Sequence, residues 1–213
     1  MKNSLVLLLI ALSLALTIVR AAPAAARPNI IVILADDMGF SDLGCYGSEI
    51  PTPNLDALAQ GGLRFSQFYN MGRCCPTRAT LMTGLYAHQA GIGHMTADQN
   101  LPGYRGTLSE NAVSIAEVLQ PAGYFTTMTG KWHMRSKPGS TPWTRGFERS
   151  LSAVAGGFYF ADSGKATLLL NGKPLPADSP ELPKNWYSTD LWTEFGLRFI
   201  DDARAAKQPF FLF

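Results

Sequence analysis

The sequence of 213 residues predicts an α/β fold in which a largely parallel central sheet is flanked by helices. Short apolar runs rich in β-branched residues alternate with stretches of helical periodicity, which is the order expected when strands and helices form layers. Polar residues directly follow two of these apolar runs, at Asp36-Asp37 and at Lys131 and His133. In open α/β sheets ligand sites form beyond the carboxyl ends of strands, so this placement agrees with the predicted fold.

The first predicted strand and helix lie between residues 29 and 62. Residues 29–35 (NIIVILA) form an almost wholly apolar run, which predicts a strand buried on both faces of the sheet. Thr52-Pro53 suits an N-cap and a first helical position, and Gly61-Gly62 ends this helix. We expect one face of the helix to carry Leu55, Leu58 and Ala59.

Further elements follow from the same patterns. They are a strand over residues 63–69, a helix start over 76–82, a short helix over 114–119, a strand over 124–129, a helix over 189–206 and a strand from 210. The buried side of the long helix is expected to carry Leu191, Phe195, Phe199 and Ile200. Residues 136–184 are rich in proline and glycine, and we interpret them as an irregular insertion or lobe that borders the functional site.

The first 26 residues have the pattern of a secretory signal peptide. Lys2 precedes an apolar run over residues 5–19, and small residues follow it as far as Ala26. A membrane anchor is the alternative, but a spanning helix usually needs about 20 apolar residues, and Arg20 cuts the run short. We therefore predict an exported protein, periplasmic or secreted, that is cleaved near Ala26 and has no stable membrane anchor.

The composition is that of an ordinary globular protein, and residues 27–213 are long enough for one substantial core. The sequence is 46% hydrophobic and 16% charged, with a formal net charge of +2. This balance indicates neither a nucleic acid nor a membrane surface as a partner. The three cysteines, Cys45, Cys74 and Cys75, are too few for a disulfide scaffold, and the adjacent pair would bridge only with strain.

The most specific motif is Cys74-Cys75-Pro76-Thr77-Arg78, which resembles the sulfatase signature C-x-P-x-R. The wider phrase RCCPTRATLMTGLYAHQAGIGHM resembles bacterial arylsulfatases, although Thr77 stands where serine is commoner. NIIVILADDMGFSDLGCYG and the later GKWH resemble the metal and substrate segments of the same family, in the same order. The resemblance implies an alkaline-phosphatase-like sandwich, incomplete at the C-terminus, with residues 27–213 as the N-terminal part of a sulfatase catalytic domain.

The resemblance also implies that a formylglycine-generating enzyme oxidises Cys74, because Cys74 and not Cys75 has the required spacing to Pro76 and Arg78. The hydrated aldehyde of formylglycine has two hydroxyls on one carbon. One hydroxyl attacks the ester sulfur, and loss of the proton from the other expels sulfate. A cysteine thiolate would instead leave a stable S-sulfonate. We expect Cys75 to be a small buried residue.

The other expected roles follow from the negative charge that a sulfate ester gathers in its transition state, which preorganised cations stabilise. We expect Arg78 to hold the hydrated aldehyde and Lys131 to bind sulfate oxygens. The family resemblance implies that His133 assists proton transfer, a task that suits a group titrating near neutral pH. A helix start at Pro76 would also direct free backbone N–H groups towards the anion.

Asp36 and Asp37 are hard oxygen ligands that suit Ca²⁺ or Mg²⁺, and the resemblance favours Ca²⁺. The metal would also bind the converted Cys74 and would act on the sulfate ester as a Lewis acid. In the family an Asp-Asn pair further along completes the metal shell, and no such pair follows His133 here. We therefore expect the 213-residue chain to be a truncated form that is inactive on its own.

Two other functions remain open on the residues alone. A phosphate or phosphonate ester hydrolase of the same superfamily is one, although C-x-P-x-R together with GKWH favours sulfate. A non-catalytic secreted carbohydrate-binding domain is the other, and the intact set of predicted site residues argues against it. The substrate is thus expected to be a small-molecule or carbohydrate sulfate ester. We expect His88 and His94 to serve in packing or hydrogen bonding rather than in catalysis.

Overall fold

The computed structural model describes residues 27–134, 138–153, 159–161 and 167–213. The predicted signal peptide over residues 1–26 lies outside these ranges. No helix within them is both long and apolar enough to span a bilayer. The strands are β1 (Ile30–Ile31), β2 (Phe125–Lys131), β3 (Arg149–Ala153), β4 (Leu168–Leu170), β5 (Lys173–Leu175) and β6 (Phe210–Leu212). They form one six-stranded sheet with the order β1-β6-β2-β3-β4-β5.

The sheet is largely parallel, as the sequence predicts. β6 pairs in parallel with both β1 and β2, and β2 pairs in parallel with β3. The last two strands, β4 and β5, add an antiparallel meander beside β3. The carboxyl ends of the four parallel strands therefore lie at one edge of the sheet, where the chain leaves β1 for Asp36 and leaves β2 for His133.

Helices cover both faces of this sheet. The α-helices of the described chain are α1 (Pro53–Gly61), α2 (Cys74–Thr83), α3 (Ile115–Leu119) and α4 (Ser188–Ala205), of which α2 and α4 pack on the sheet. Successive residues of a strand point to opposite faces, and in β6 Phe211 packs in the cluster that contains α2, whereas Phe210 packs against Ala203 of α4. Helices α2 and α4 therefore lie on opposite faces, and the predicted sandwich of a sheet between helices is confirmed.

The core beneath the site is built around α2. Cys75, Ala79 and Met82 are fully or almost fully buried on one side of that helix, at the spacing of one helical face. They share a cluster with Met128 of β2 and with Trp132, which follows β2 directly. The indole of Trp132 donates to the backbone oxygen of Ser140 at 2.7 Å. The packing thus anchors the helix that carries the signature motif to the strand that leads to Lys131 and His133.

Most of the predicted elements are confirmed within a residue or two. The helix predicted over 53–61 has these bounds, and the segment predicted over 189–206 is α4. The short helix predicted over 114–119 is α3, and Ser114 caps it, since its Oγ accepts the N–H of Glu117 at 3.1 Å while the Glu117 carboxylate accepts the N–H of Ser114 at 2.7 Å. Helix α2 differs slightly, because it begins at Cys74 rather than at Pro76.

Two predictions in the first half of the chain are wrong. Residues 63–69 form no strand; their apolar side chains are exposed and no neighbouring strand pairs with the segment. The strand predicted over 29–35 is only two residues long and is not buried on both faces, because β1 is an edge strand of the described sheet and Ile31 is half exposed. Helix α1 forms as predicted, and none of its residues is buried.

The interpretation of residues 136–184 as irregular is also wrong in part. This segment contains β3, which is a central strand of the sheet, together with the hairpin of β4 and β5. Ser150 and Ser152 are buried in β3, so its sequence RSLSA lacks the continuous apolar run expected of a central strand. The portions over 135–137, 154–158 and 162–166 lie outside the described residues.

Candidate active site

Cys74 occupies the first turn of α2, and local hydrogen bonds fix the start of this helix. Arg73 is the N-cap residue, and its carbonyl accepts the N–H of Thr77 at 3.0 Å. The Thr77 hydroxyl in turn accepts the N–H of Met71 at 3.1 Å, which ties the preceding loop to the first turn. Because α2 starts at Cys74, the free N–H groups of its first turn belong to Cys74 and Cys75 rather than to residues after Pro76.

Arg78 connects α2 to the ends of two strands. Its side chain is only 4% exposed, and it lies one helical turn after Cys74. One terminal nitrogen donates to the backbone oxygen of Lys131 at 2.6 Å, and the other donates to Asp36 Oδ1 at 3.1 Å. Its Nε is buried without a partner among the described residues. Arg78 therefore holds a fixed orientation and keeps one unused donor in the site.

Asp36 is shared by two cations. Lys131 Nζ donates to Asp36 Oδ2 at 2.7 Å, and Arg78 occupies the other carboxylate oxygen. Burial opposes ionisation of Asp36, but the hydrogen bonds from Lys131 and Arg78 and their charges outweigh it, so the pKa of Asp36 is lowered. Two positive charges against one carboxylate leave the centre with a positive balance, which suits an anionic ligand.

His133 lies close to Cys74 and has an uncommon backbone conformation. Its φ is 53°, a left-handed value that few non-glycine residues adopt. Burial lowers the pKa of His133, and the charges of Lys131 and Arg78 lower it further. The ring is therefore neutral at neutral pH. Its Nδ1 is buried without a hydrogen-bond partner in the described part of the chain.

The two cysteines of the motif have different surroundings. Cys75 is fully buried in the core, as expected, whereas Cys74 is partly exposed. Burial raises the pKa of the Cys75 thiol to about 12, and the adjacent Cys74 contributes to this increase. One ligand atom each of Cys74, Cys75 and His133 lie within 4.8 Å of one another. The predicted catalytic residues Cys74, Arg78, Lys131 and His133 are thus brought together with Asp36 at one edge of the sheet.

Two other histidines have local partners. His88 Nε2 lies 3.0 Å from the Tyr104 hydroxyl, and a Cβ at Gly93 would come within 2.5 Å of the His88 ring, so His88 is closely packed. His94 Nε2 lies 3.1 Å from the side chain of Arg73, an exposed contact next to Cys74. Sequence reasoning did not single out Arg73; its only signal was a second arginine directly before the motif.

A hard divalent cation is chemically compatible with the residues at the end of β1. Asp36 and Asp37 offer carboxylate oxygens, which Ca²⁺ and Mg²⁺ prefer. An ionised carboxylate has about four lone-pair sites, so the two contacts of Asp36 leave capacity for a metal. Asp36 is 35% exposed, and Asp37 is exposed with a left-handed φ of 60°. These residues fit the group that the resemblance implies.

Comparison with known proteins agrees with this geometry. The family model described as Sulfatase matches residues 28–213. The chain belongs to the sulfatase family. An arylsulfatase of Klebsiella aerogenes is 38% identical over 192 residues, a match that covers 87% of this chain and 41% of the relative. The chain thus spans less than half the length of this curated relative.

Solved sulfatase structures resemble the chain as well. The crystal structure of Ps i-CgsB is similar with a TM-score of 0.76 and 35% identity, over 87% of this chain and 44% of that one. The structure of BT4656 in complex with its substrate D-glucosamine-2-N,6-O-disulfate has a TM-score of 0.67 and 29% identity, over 87% of this chain and 33% of that one. The fold class predicted from sequence, the alkaline-phosphatase-like sandwich of sulfatases, is therefore confirmed.

Proposed function

We propose that the protein containing this chain hydrolyses sulfate esters and that Cys74, once oxidised to formylglycine, provides the nucleophile. The observation that carries the proposal is the position of Cys74, at the start of α2 beside the neutral His133 and within the same site as the cations Arg78 and Lys131. The sulfatase family match over residues 28–213 supports it. The hydrated aldehyde supplies two hydroxyls, one for attack on sulfur and one for release of sulfate.

Arg78 and Lys131 would stabilise the negative charge of the reaction. Both are largely buried, and the ion pairs with Asp36 fix their positions before a substrate arrives. Charges that are already oriented need no reorganisation as the transition state forms, so they act strongly there. Nε of Arg78 has no partner among the described residues, and in this proposal it would donate to a hydroxyl at position 74. Lys131 would bind sulfate oxygens with the donors that Asp36 leaves free.

His133 would move the protons. Its lowered pKa keeps the ring neutral at neutral pH, so one ring nitrogen can accept a proton from a hydroxyl at position 74. The buried Nδ1 has no partner among the described residues, which leaves hydrogen-bonding capacity inside the site. The same ring can later return the proton to the leaving group.

Asp36, Asp37 and the converted Cys74 would hold a divalent cation, Ca²⁺ rather than Mg²⁺ by family resemblance. Such an ion supplies Lewis-acid stabilisation of charge on oxygen when it is bound. The remaining partners are a formylglycine-generating enzyme during maturation and a sulfate ester as substrate. BT4656 has a disulfated glucosamine as its substrate, which supports a carbohydrate sulfate as one candidate. The signal-peptide pattern over residues 1–26 supports export to the periplasm or beyond.

Turnover of matched aryl esters tests the function. The product of the complete gene, co-expressed with a formylglycine-generating enzyme, should have a larger kcat/KM for an aryl sulfate than for the corresponding aryl phosphate. Cys74→Ala should abolish turnover, whereas Cys75→Ala should retain most of it, because Cys75 is a buried core residue. A larger kcat/KM for the phosphate would identify a phosphate ester hydrolase instead. No turnover of either ester, with Cys74 converted, would favour a binding domain.

A further inference from the structure

Before oxidation, the site contains three soft or borderline metal ligands close together. One ligand atom each of Cys74, Cys75 and His133 lie within 4.8 Å of one another. The ligand atoms around a tetrahedral zinc ion lie about 3.5–4 Å apart, given Zn–S and Zn–N bonds of about 2.3 and 2.0 Å. Closing the group around an ion therefore needs side-chain shifts of no more than about an ångström.

The ligand types select the metal. Two thiolates and one imidazole favour zinc, cadmium and similar thiophilic ions, whereas Ca²⁺ and Mg²⁺ prefer oxygen ligands. The fourth position remains for water, as in zinc sites with three protein ligands. This group of ligands is distinct from the carboxylates Asp36 and Asp37, which suit the hard cation of the proposed hydrolase.

Two structural features favour occupation of this group. Nδ1 of His133 is buried without a hydrogen-bond partner among the described residues, so His133 has coordinating capacity that the protein leaves unused. Cys74 is partly exposed, which leaves a path from solvent to the first sulfur.

We infer that the unconverted chain binds one thiophilic divalent cation of the zinc and cadmium class through the sulfurs of Cys74 and Cys75 and one ring nitrogen of His133. Each thiol releases one proton to solvent as its sulfur bonds to the metal, so two thiolates balance the charge of the ion. The formylglycine-generating enzyme oxidises Cys74 with molecular oxygen as the oxidant, so the sulfur leaves, an aldehyde oxygen takes its place, and one of the three ligands is lost. The unconverted protein would thus contain a site for a thiophilic metal, and conversion of Cys74 would remove it. This consequence rests on the proposed function.

A cadmium titration tests the inference. The reduced chain, purified from cells that lack a formylglycine-generating enzyme, is treated with chelator, exchanged into chelator-free buffer and titrated with Cd²⁺ alone. Thiolate-to-cadmium absorption in the ultraviolet should saturate at one ion per chain. Cys74→Ser and His133→Gln should each weaken binding by at least about tenfold, as expected for the loss of a ligand. Cys45→Ser, which removes the remaining cysteine, and Asp37→Asn should leave the titration unchanged.

Protection from alkylation provides a second measurement without substitutions. Cd²⁺ should slow iodoacetamide modification of Cys74 but not of Cys45, which is also partly exposed. Three results would overturn the inference. They are thiolate-to-cadmium absorption that persists in Cys74→Ser, loss of that absorption in Cys45→Ser, and alkylation of Cys74 that Cd²⁺ does not slow. The converted chain, with conversion established separately from the mass of the peptide, should bind Cd²⁺ at least about tenfold more weakly. Unchanged binding by a chain with formylglycine at position 74 would contradict the ligand assignment without affecting the proposed function.

Discussion

At the scale of single residues, Asp36 determines how the cations of the site are arranged. It accepts hydrogen bonds from both Arg78 and Lys131, and it forms an ion pair with each of them. Arg78 is almost fully buried, so an uncompensated charge there would be expensive. The neighbouring Asp37 forms no ion pair with any other described residue. The two aspartates therefore offer a matched pair for mutation.

In chelator-treated, metal-free protein, Asp36→Asn should lower the free energy of unfolding by about 2 kcal/mol. The substitution removes the charge that compensates buried Arg78, and we set the value below the roughly 3–5 kcal/mol of fully buried pairs because Asp36 is itself partly exposed. Asp37→Asn should change stability by less than about 0.5 kcal/mol, since asparagine tolerates the left-handed backbone found there. Urea denaturation at pH 7 measures both. Equal losses would show that the ion pairs with Asp36 add nothing to stability.

The same pair of variants gives a pH dependence. The pKa of Asp36 is lowered in the folded chain, so the carboxylate stabilises the fold at every pH above its unfolded value of about 4. This contribution is lost as the pH falls through the lowered folded-state pKa. The stability difference between wild type and Asp36→Asn should therefore be constant from pH 7 to about pH 5 and should shrink below pH 4. A difference that grows on acidification would contradict this assignment.

At the scale of elements, the position of the motif depends on where α2 begins and ends. The helix ends at Thr83, and the C-cap residue Gly84 follows it with a left-handed φ of 68° and donates its N–H to Thr80 O at 2.8 Å. An added Cβ at Gly84 would meet no atom within 4 Å, so alanine there would be strained by its backbone conformation alone. A Cβ added at Gly61, the last residue of α1, would also meet no atom within 4 Å, but the φ of Gly61 is not in the left-handed region.

Gly84→Ala should therefore destabilise the chain by about 1–2 kcal/mol, the expected penalty for a left-handed alanine. Gly61→Ala should be neutral or stabilising by up to about 1 kcal/mol, because alanine favours a helical backbone and restricts the unfolded chain. Thermal or urea unfolding of the two variants measures the difference. A similar effect of both substitutions would show that the left-handed end of α2 is not under conformational constraint.

The elements also show which helices and strands the sequence could predict and why it did not predict the others. Helix α4 was predictable because Leu191, Phe195 and Phe199 recur at helical spacing and do pack in the core. The segment 63–69 alternates apolar and polar residues, but alternation gives a strand only where a neighbouring strand supplies hydrogen bonds. Strand β3 was missed for the opposite reason: it pairs with β2 and β4, but Ser150 and Ser152 interrupt the apolar pattern that would have predicted it.

The site was more predictable than the sheet. The C-x-P-x-R spacing predicted Cys74 and Arg78, and the position after an apolar strand, together with the resemblance of GKWH to the family, predicted Lys131 and His133. The structure brings these four residues together, and their roles stay predictions. The ion pairs of Asp36 were not predictable, because they join residues 42 and 95 positions apart in the sequence. No local pattern encodes such contacts.

At the scale of the whole molecule, the described surface contains an unusual concentration of apolar side chains. Leu63, Phe68 and Tyr69 are 88%, 76% and 85% exposed, and the rings of Phe65 and Phe68 lie 5.7 Å apart. Exposed apolar patches of this kind promote association.

The isolated chain should therefore self-associate as its concentration rises, and Leu63→Lys with Phe68→Lys should reduce this association without lowering stability. Sedimentation velocity measures it, with Tyr86→Lys as a control at another exposed aromatic. A monomeric wild-type chain at high concentration would contradict the prediction.

The central claim, that position 74 becomes the nucleophile of a sulfatase, is tested most directly by the mass of one tryptic peptide. Cleavage after Arg73 and Arg78 releases residues 74–78 (CCPTR), which contain both cysteines of the motif. After co-expression with a formylglycine-generating enzyme and alkylation, fragmentation should show an aldehyde at position 74 and one alkylated thiol at Cys75. Pro76→Ala should suppress the conversion. Two alkylated cysteines in the co-expressed wild-type chain, or an aldehyde at position 75, would contradict the account.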